Sequence, residues 1–213
     1  MPIVSSFNKN TSQQKDEYLI TEKIQKILVT GATGMQGGAV ARALLAHGLE
    51  VTAFVRNSES GPAQELKALG AKLAMGTMDD MQPLEAATAG QDAVFSMQPS
   101  GAAPGVESEQ AHNIASAAHK NGVKQIIHTS VSATGWREKG FDFEHKSPIM
   151  IAYWDDEEDA ERAVRESGVK FWTILKPAFY MENFIPPKGD LMFPDLKDGK
   201  WLQLPISNPL NSR

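Results

Sequence analysis

The 213-residue sequence contains no cysteine, which removes disulfides, thiolate nucleophiles, zinc–thiolate sites and iron–sulfur clusters from its chemistry. It also lacks any apolar run approaching the roughly 20 residues of a membrane-spanning helix. Its hydrophobic stretches are of strand length, such as 27–29. Basic charge is short as well: 21 Lys and Arg stand against 26 Asp and Glu, for a formal net charge of −5. Such a balance offers no cationic surplus to release counterions from a nucleic-acid backbone, so neither nucleic acid nor a membrane surface is expected as a direct partner. The five histidines, His47, His112, His119, His128 and His145, include no pair three or four positions apart. A helical metal site is left without ligands at the spacing it needs, and no metal is expected.

What is present is enough hydrophobic material, 41% of the residues, to bury one sizeable core. Residues 1–24 mix Ser, Asn, Gln, Lys and acidic side chains with no apolar stretch of signal-peptide length. They carry Asp16 and Glu17, which a transit peptide would avoid. This segment reads as a flexible arm, and the cytoplasm is the expected compartment.

From residue 26 short β-rich runs alternate with longer helical patterns, the signature of β–α–β units. The runs 26–30 (KILVT), 50–55 (EVTAFV), 72–75, 93–96 (AVFS), 125–129 (QIIHT) and 170–175 (KFWTIL) predict six strands. Helices are predicted over 36–47, 63–69, 81–88 and 106–121, closed by Gly48, Gly70, Gly90 and Gly122. A fifth should start after Ser147 with Pro148 in its first turn and run to about residue 167, before Gly168. Residues 25–176 therefore read as one α/β domain of Rossmann type, a doubly wound parallel sheet in the order 3-2-1-4-5-6. Residues 177–213, rich in proline (Pro177, Pro186, Pro187, Pro194, Pro205, Pro209), read as a short irregular segment with a strand at 201–204.

The sharpest chemical signal is Gly31-Ala-Thr-Gly34-Met-Gln-Gly37-Gly38, between the first strand and the first helix. A loop of this kind needs one glycine to turn off the strand, one to admit a pyrophosphate to backbone N–H groups and one to let helix and sheet touch. The helix N-terminus adds free N–H groups and a positive dipole end. A nicotinamide dinucleotide is the expected ligand. After the second strand stands Arg56, where an acidic residue would hold the ribose 2′-hydroxyl of NAD. An arginine fork suits a 2′-phosphate instead, so NADP(H) is favoured over NAD(H).

With these residues in view, the sequence resembles the NmrA-like group of atypical short-chain dehydrogenases/reductases. The resemblance runs over about 26–187 and rests on the glycine string, Val55-Arg56-Asn57, Val94-Phe-Ser-Met-Gln98, His128-Thr-Ser130-Val and Pro177-Ala-Phe-Tyr-Met-Glu-Asn183-Phe. It implies that Thr33, Met35 and Gln36 contact the pyrophosphate, that Arg56 reads the adenosine phosphate, and that Gln98 and Pro177 lie near the nicotinamide. Thr77 and Met78 stand where the group often has an aspartate near the adenine. Members of the group usually run well beyond this length, adding elements that cover the substrate cleft. The resemblance thus implies a shortened or truncated member, or cover supplied by a partner subunit, for example in a homo-oligomer.

Short-chain reductases use a Tyr with a Lys four residues later, and a Ser on the preceding strand. The Lys binds the ribose and lowers the Tyr pKa. Here Ser130 and Tyr153 are the candidate catalytic residues, but Glu157 occupies the Lys position. A carboxylate one turn from a phenol raises the phenol pKa, so the usual relay is absent. Tyr153 then reads equally as a core or rim aromatic, with the acidic run 155–159 as a solvated helix face. Ser130 lacks the Gly-x-Ser-x-Gly surroundings of a hydrolase nucleophile and reads as a hydrogen-bonding group or an ordinary strand-end serine.

Two readings follow. The favoured one is an NADP(H)-binding redox sensor or regulator with a protein partner; the alternative is an NADPH-dependent oxidoreductase of quinones or similar small planar electrophiles. Phe179, Tyr180, Phe184 and Trp201 would supply the stacking surface of the second, or plain core.

Overall fold

The computed structural model describes residues 24–99, 103–140, 148–186, 189–190 and 193. Six strands, β1 (Lys26–Val29), β2 (Glu50–Val55), β3 (Lys72–Met75), β4 (Ala93–Ser96), β5 (Gln125–Thr129) and β6 (Phe171–Leu175), alternate with five helices. The helices are α1 (Met35–Ala46), α2 (Gly61–Ala68), α3 (Met81–Thr88), α4 (Val106–Lys120) and α5 (Pro148–Arg165), and a 3-10 turn follows at Met181–Phe184. Every strand pairing is parallel and the order is β3-β2-β1-β4-β5-β6, the doubly wound arrangement expected from the sequence. The first strand ends one residue earlier than expected and the last begins one later. Most of the N-terminal arm, the strand expected at 201–204, Trp201 and the helix-capping Ser147 lie outside the described residues.

The central strands are aliphatic on both faces because both faces are covered. In β1, Ile27, Leu28 and Val29 are all buried, as parallel sheets require. Leu28, Val94 and Ile126 join Leu84 of α3, Ile114 of α4 and Val164 of α5 in one core. Ile27, Val29 and Phe95 join Ala41 of α1 and Ala63 and Leu66 of α2 in the other. Asp92 ties the start of the sheet together by accepting from the backbone N–H groups of Gln25 and Lys26, both at 2.9 Å. β6 lies at the edge, with Trp172 and Leu175 exposed. No described helix is long and apolar enough to cross a membrane.

Strand order reverses between β1, which leads to β2, and β4, which pairs β1 on its other side. Crevices at such switch points, beyond the carboxyl ends of the strands, are where α/β sheets bind ligands. The loops that leave β1, β4, β5 and β6 carry Gly31, Gln98, Ser130 and Pro177 to that edge.

Candidate functional site

The loop after β1 is shaped by what its glycines lack. Gly31 takes a φ of 60°, a left-handed conformation that costs a side chain-bearing residue about 1 kcal/mol or more. A Cβ on Gly37 would strike the Gly31 carbonyl oxygen and lie 2.6 Å from the Gly31 carbonyl carbon and 2.9 Å from Thr30 O. The loop and the first turn of α1 are therefore in backbone contact, which only glycine permits. Thr30 braces this corner, its Oγ1 donating to Met97 O (2.9 Å) and accepting from Met97 N (2.8 Å).

Gly34 is the N-cap of α1, and no side chain caps that end. Thr33, Gly34 and Met35 are exposed around it. A cradle that a Cβ would fill, beside an uncapped helix N-terminus, fits a pyrophosphate. Arg56 is exposed directly after β2 and makes no hydrogen bond or ion pair among the described residues, so its guanidinium is available to an anion. Gln36 is engaged otherwise: its Nε2 donates to Thr129 Oγ1 at 2.9 Å, joining α1 to the end of β5. Beyond β3, Met78 O accepts from Asn113 Nδ2 (3.1 Å) and Asp79 Oδ1 from Gln110 Nε2 (2.9 Å), which fastens that loop to α4.

Gln98 is buried and turns back into the sheet, its Nε2 donating to Ser96 Oγ at 3.0 Å. Ser96 Oγ in turn lies 3.1 Å from Nδ1 of the fully buried His128. Burial lowers the His128 pKa to about 4, with the Glu161 carboxylate opposing and the Arg165 cation assisting, so this imidazole is neutral. Pro177 places its carbonyl oxygen 3.1 Å from the N–H of Ser132 and so closes the β6 loop onto the β5 loop.

The α5 side of the site departs from the sequence expectation. Two members of the acidic run leave the solvated face: Asp156 and Glu157 are only 8% and 7% exposed, and Glu161, beyond the run, is 1% exposed, while Asp159 stays exposed. Asp156 reaches across to α4, accepting from the backbone N–H groups of Gly105 (3.1 Å), Glu107 (3.3 Å) and Ser108 (3.1 Å). Glu161 Oε1 accepts from Ser130 Oγ (2.7 Å) and Thr134 Oγ1 (2.6 Å) and pairs with Lys176 Nζ (2.9 Å), while Oε2 takes Arg165. Burial alone would raise this carboxyl, but the hydrogen bonds from Thr134, Ser130, Lys176 and Arg165 outweigh it and hold it below the usual range.

Glu157, one turn earlier, is in the opposite state. Burial pushes its carboxyl up, against hydrogen bonds with Tyr153, Glu107 and Ser130, and the nearby charge of Glu161 adds to the rise. Tyr153 is pushed well above the ordinary phenol range, first by burial and then by the charges of Glu157 and Glu107. The two candidate catalytic residues thus meet neighbouring carboxyls of α5: Tyr153 stands one turn before Glu157, and Ser130 Oγ donates to Glu161, one turn further on, at 2.7 Å.

Sequence reasoning missed Glu107, Glu161 and Lys176. The signal for Glu161 was there, since 153, 157 and 161 fall on one helical stripe that also carries Ala160 and Val164. The signal for Lys176 was a lysine closing an apolar strand. Phe179 and Phe184 meet with ring centroids 5.3 Å apart, and Phe184 stacks on Phe193 at 5.0 Å. Phe179, Tyr180 and Phe184 are all exposed.

A doubly wound parallel sheet with a glycine cradle at its switch point defines a Rossmann-type α/β protein. Residues 23–213 match the NmrA-like family, and the chain belongs to that family. It is 33% identical over 180 residues to the NAD(P)H azoreductase of Xenophilus azovorans, covering 82% of this chain and 57% of that protein. Among solved structures it resembles the Citrobacter sp. triphenylmethane reductase complexed with NADP(H), with a TM-score of 0.60 and 28% identity over 75% of this chain and 52% of that one. It also resembles an NADPH-dependent quinone oxidoreductase of Escherichia coli complexed with NADPH, with a TM-score of 0.61 and 26% identity over 81% and 54% of the two chains. The chain spans about half the length of the curated relatives it matches.

Proposed function

We propose that this chain binds NADP(H) across the switch point and serves the reduction of a small planar electrophile, such as a quinone or an azo compound. The carrying observation is that the Gly31–Gly37 backbone cradle and the Ser130–Tyr153–Glu157 cluster lie at the same carboxyl edge of the sheet. The azoreductase, triphenylmethane reductase and quinone oxidoreductase names of its relatives support the same reaction class.

The bound dinucleotide would supply a hydride, and the protein's part is binding, orientation and proton supply. The N–H groups at the start of α1 hold the pyrophosphate, with Thr33 and Met35 beside it. Arg56 takes the 2′-phosphate. Gln98 and Pro177 border the nicotinamide end, and Phe179, Tyr180 and Phe184 offer the acceptor an aromatic surface. Tyr153 presents its hydroxyl to the atom that gains negative charge, and Ser130, whose hydroxyl proton goes to Glu161, borders the same corner.

The sensor reading, favoured by the missing Tyr/Lys relay, is weakened because a buried carboxyl and hydroxyl network occupies the relay's place instead of plain apolar core. Calorimetric titration with NADPH, NADP, NADH and NAD, followed by a quinone or azo challenge at the nicotinamide absorbance, separates the two. The reductase binds the 2′-phosphorylated forms more tightly and oxidises NADPH on challenge; a sensor binds without turnover. In Arg56→Ala the preference for the phosphorylated forms should fall by about tenfold or more, the worth of a lost charge-assisted hydrogen bond, with NADH affinity little changed.

A further inference from the structure

Three buried side chains form a chain of hydrogen bonds at the switch point. Gln98, just beyond β4, donates from Nε2 to Ser96 Oγ at 3.0 Å, and Ser96 Oγ lies 3.1 Å from Nδ1 of His128 on β5. Ser96 and His128 are fully buried and Gln98 nearly so. The hydroxyl of Ser96 has a single proton to give. It makes no other side-chain hydrogen bond among the described residues. Having accepted from Gln98, the hydroxyl donates to Nδ1, which must then carry no proton. The imidazole is neutral, so its one proton sits on Nε2, which is buried without a hydrogen bond. Nε2 lacks a partner in either tautomer, and the Ser96 side alone ties the ring's proton to its surroundings.

The chain gives the Gln98 amide a direction. With Nε2 turned inward, Oε1 makes no hydrogen bond among the described residues, and it keeps contact with solvent, unlike the sealed and unpartnered oxygens of Gln91 and Gln110. The reversed chain would run from Nδ1–H to Ser96 and from Ser96 to Oε1, leaving an NH2 group outward. The surroundings favour the first direction. Met97, the neighbour of Gln98, covers Gly31, and α1 opens a few residues later with no side-chain cap. The positive end of a helix favours an oxygen beside it over an NH2 group. The other free backbone groups at this edge, the first N–H groups of α1, are donors. Gln98 Oε1 is thus an acceptor set among donors.

We propose that His128 is a positioning residue for ligand recognition: acting through Ser96, it holds the Gln98 carboxamide with its oxygen outward, so that the site accepts a hydrogen bond from the carboxamide NH2 of a nicotinamide. This rests on the dinucleotide-binding reading above, in which Gln98 borders the nicotinamide end. His128 is fully enclosed and acts only through the chain. The start of α1 serves the phosphates with donors, and Gln98 serves the base with an acceptor. A pyridine ring bearing a carboxylate in place of the amide would meet oxygen against oxygen and be rejected. Without the acceptor at Nδ1, the Ser96 proton is free to turn to Gln98, and the amide loses its fixed direction.

Three ligands test this by calorimetry: NADPH; its reduced 3-acetylpyridine analogue, which has a methyl group where the carboxamide carries NH2; and adenosine 2′,5′-bisphosphate, which has no nicotinamide end. The wild type should bind NADPH about tenfold more tightly than the analogue, the worth of one hydrogen bond. In Ser96→Ala and His128→Leu that preference should fall to near unity, with the affinity for adenosine 2′,5′-bisphosphate unchanged. His128→Asn, which returns an acceptor to the place of Nδ1, should restore it. Two-bond proton–nitrogen NMR of the cofactor-free wild type should show His128, identified by its absence from the variants, with its proton on Nε2. A proton on Nδ1 overturns the proposal. So does a wild type that binds NADPH and the analogue alike while holding adenosine 2′,5′-bisphosphate, and the dinucleotide reading then survives. A variant that weakens all three ligands equally has lost structure only, which also overturns the positioning role. Should His128→Leu fail to fold, Ser96→Ala carries the same prediction. A wild type that binds none of the three overturns the dinucleotide reading, and the proposal falls with it.

Discussion

At the β1 end the site is made of backbone. Gly31 and Gly37 bring the loop and α1 into contact, and the helix N-terminus faces outward with no side chain across it. At the β5–β6 end it is made of side chains that carry charge out of water, with Glu157 and Glu161 almost fully buried on one face of α5. The first end selects residues for what they leave out, the second for partners they meet across long stretches of chain. The first should therefore respond to added volume, and the second to removed charge and to pH.

The largest response is expected at Glu161. Glu161→Ala would take the carboxylate from Lys176 and Arg165 and leave the Ser130 hydroxyl without its acceptor, with Thr134 falling back on Val131 O. Breaking such a pair should cost about 3–4 kcal/mol, toward the low end of the buried range because the cations keep some solvent. Urea unfolding measures it, and a loss below about 1 kcal/mol would make this end no different from a surface ion pair.

Next comes His128, whose pKa of about 4 lies below its ordinary 6.5. The unfolded chain takes up this proton first as pH falls. The stability it confers is therefore complete above pH 6.5 and is lost progressively toward pH 4, by roughly 3 kcal/mol in all. His128→Phe should flatten the pH dependence of unfolding over that window; an unchanged slope would assign acid sensitivity to other groups.

The smallest effect on stability belongs to the glycine end. Gly37→Ala should cost about 1–3 kcal/mol through overpacking against backbone that cannot move aside, while abolishing dinucleotide binding in calorimetry. A Gly37→Ala protein that binds normally would erase the distinction between the two ends.

This contrast also explains what could be read before the structure was known. The six strands, their order and the helix-closing glycines were legible because each is a local pattern: aliphatic runs such as 27–29, and chain reversals that need positive φ, as Gly48 and Gly122 show at 75° and 68°. The glycine loop was legible for the same reason. Glu161 was not, because its burial is made tolerable by Ser130, Thr134 and Lys176, which lie 15 to 31 positions away. Taken locally, 155–159 is a solvated helix face; only the packing of α5 against α4 makes Asp156 and Glu157 interior groups. Gln36 was given to the pyrophosphate by resemblance, and its bond to Thr129, 93 residues on, is again a fact of tertiary structure.

Asp156 has a further consequence. It supplies the acceptors for the first amides of α4 from a helix about 50 residues later. The N-cap of α4 is Gly105, whose φ is 88° and whose missing side chain gives the helix no cap of its own. Until α5 has docked, the opening turn of α4 has only water to close it. In amide hydrogen exchange, Gly105, Glu107 and Ser108 should then share the opening rate of α5 rather than that of the helix to which they belong. The two helices would detach as one cooperative unit.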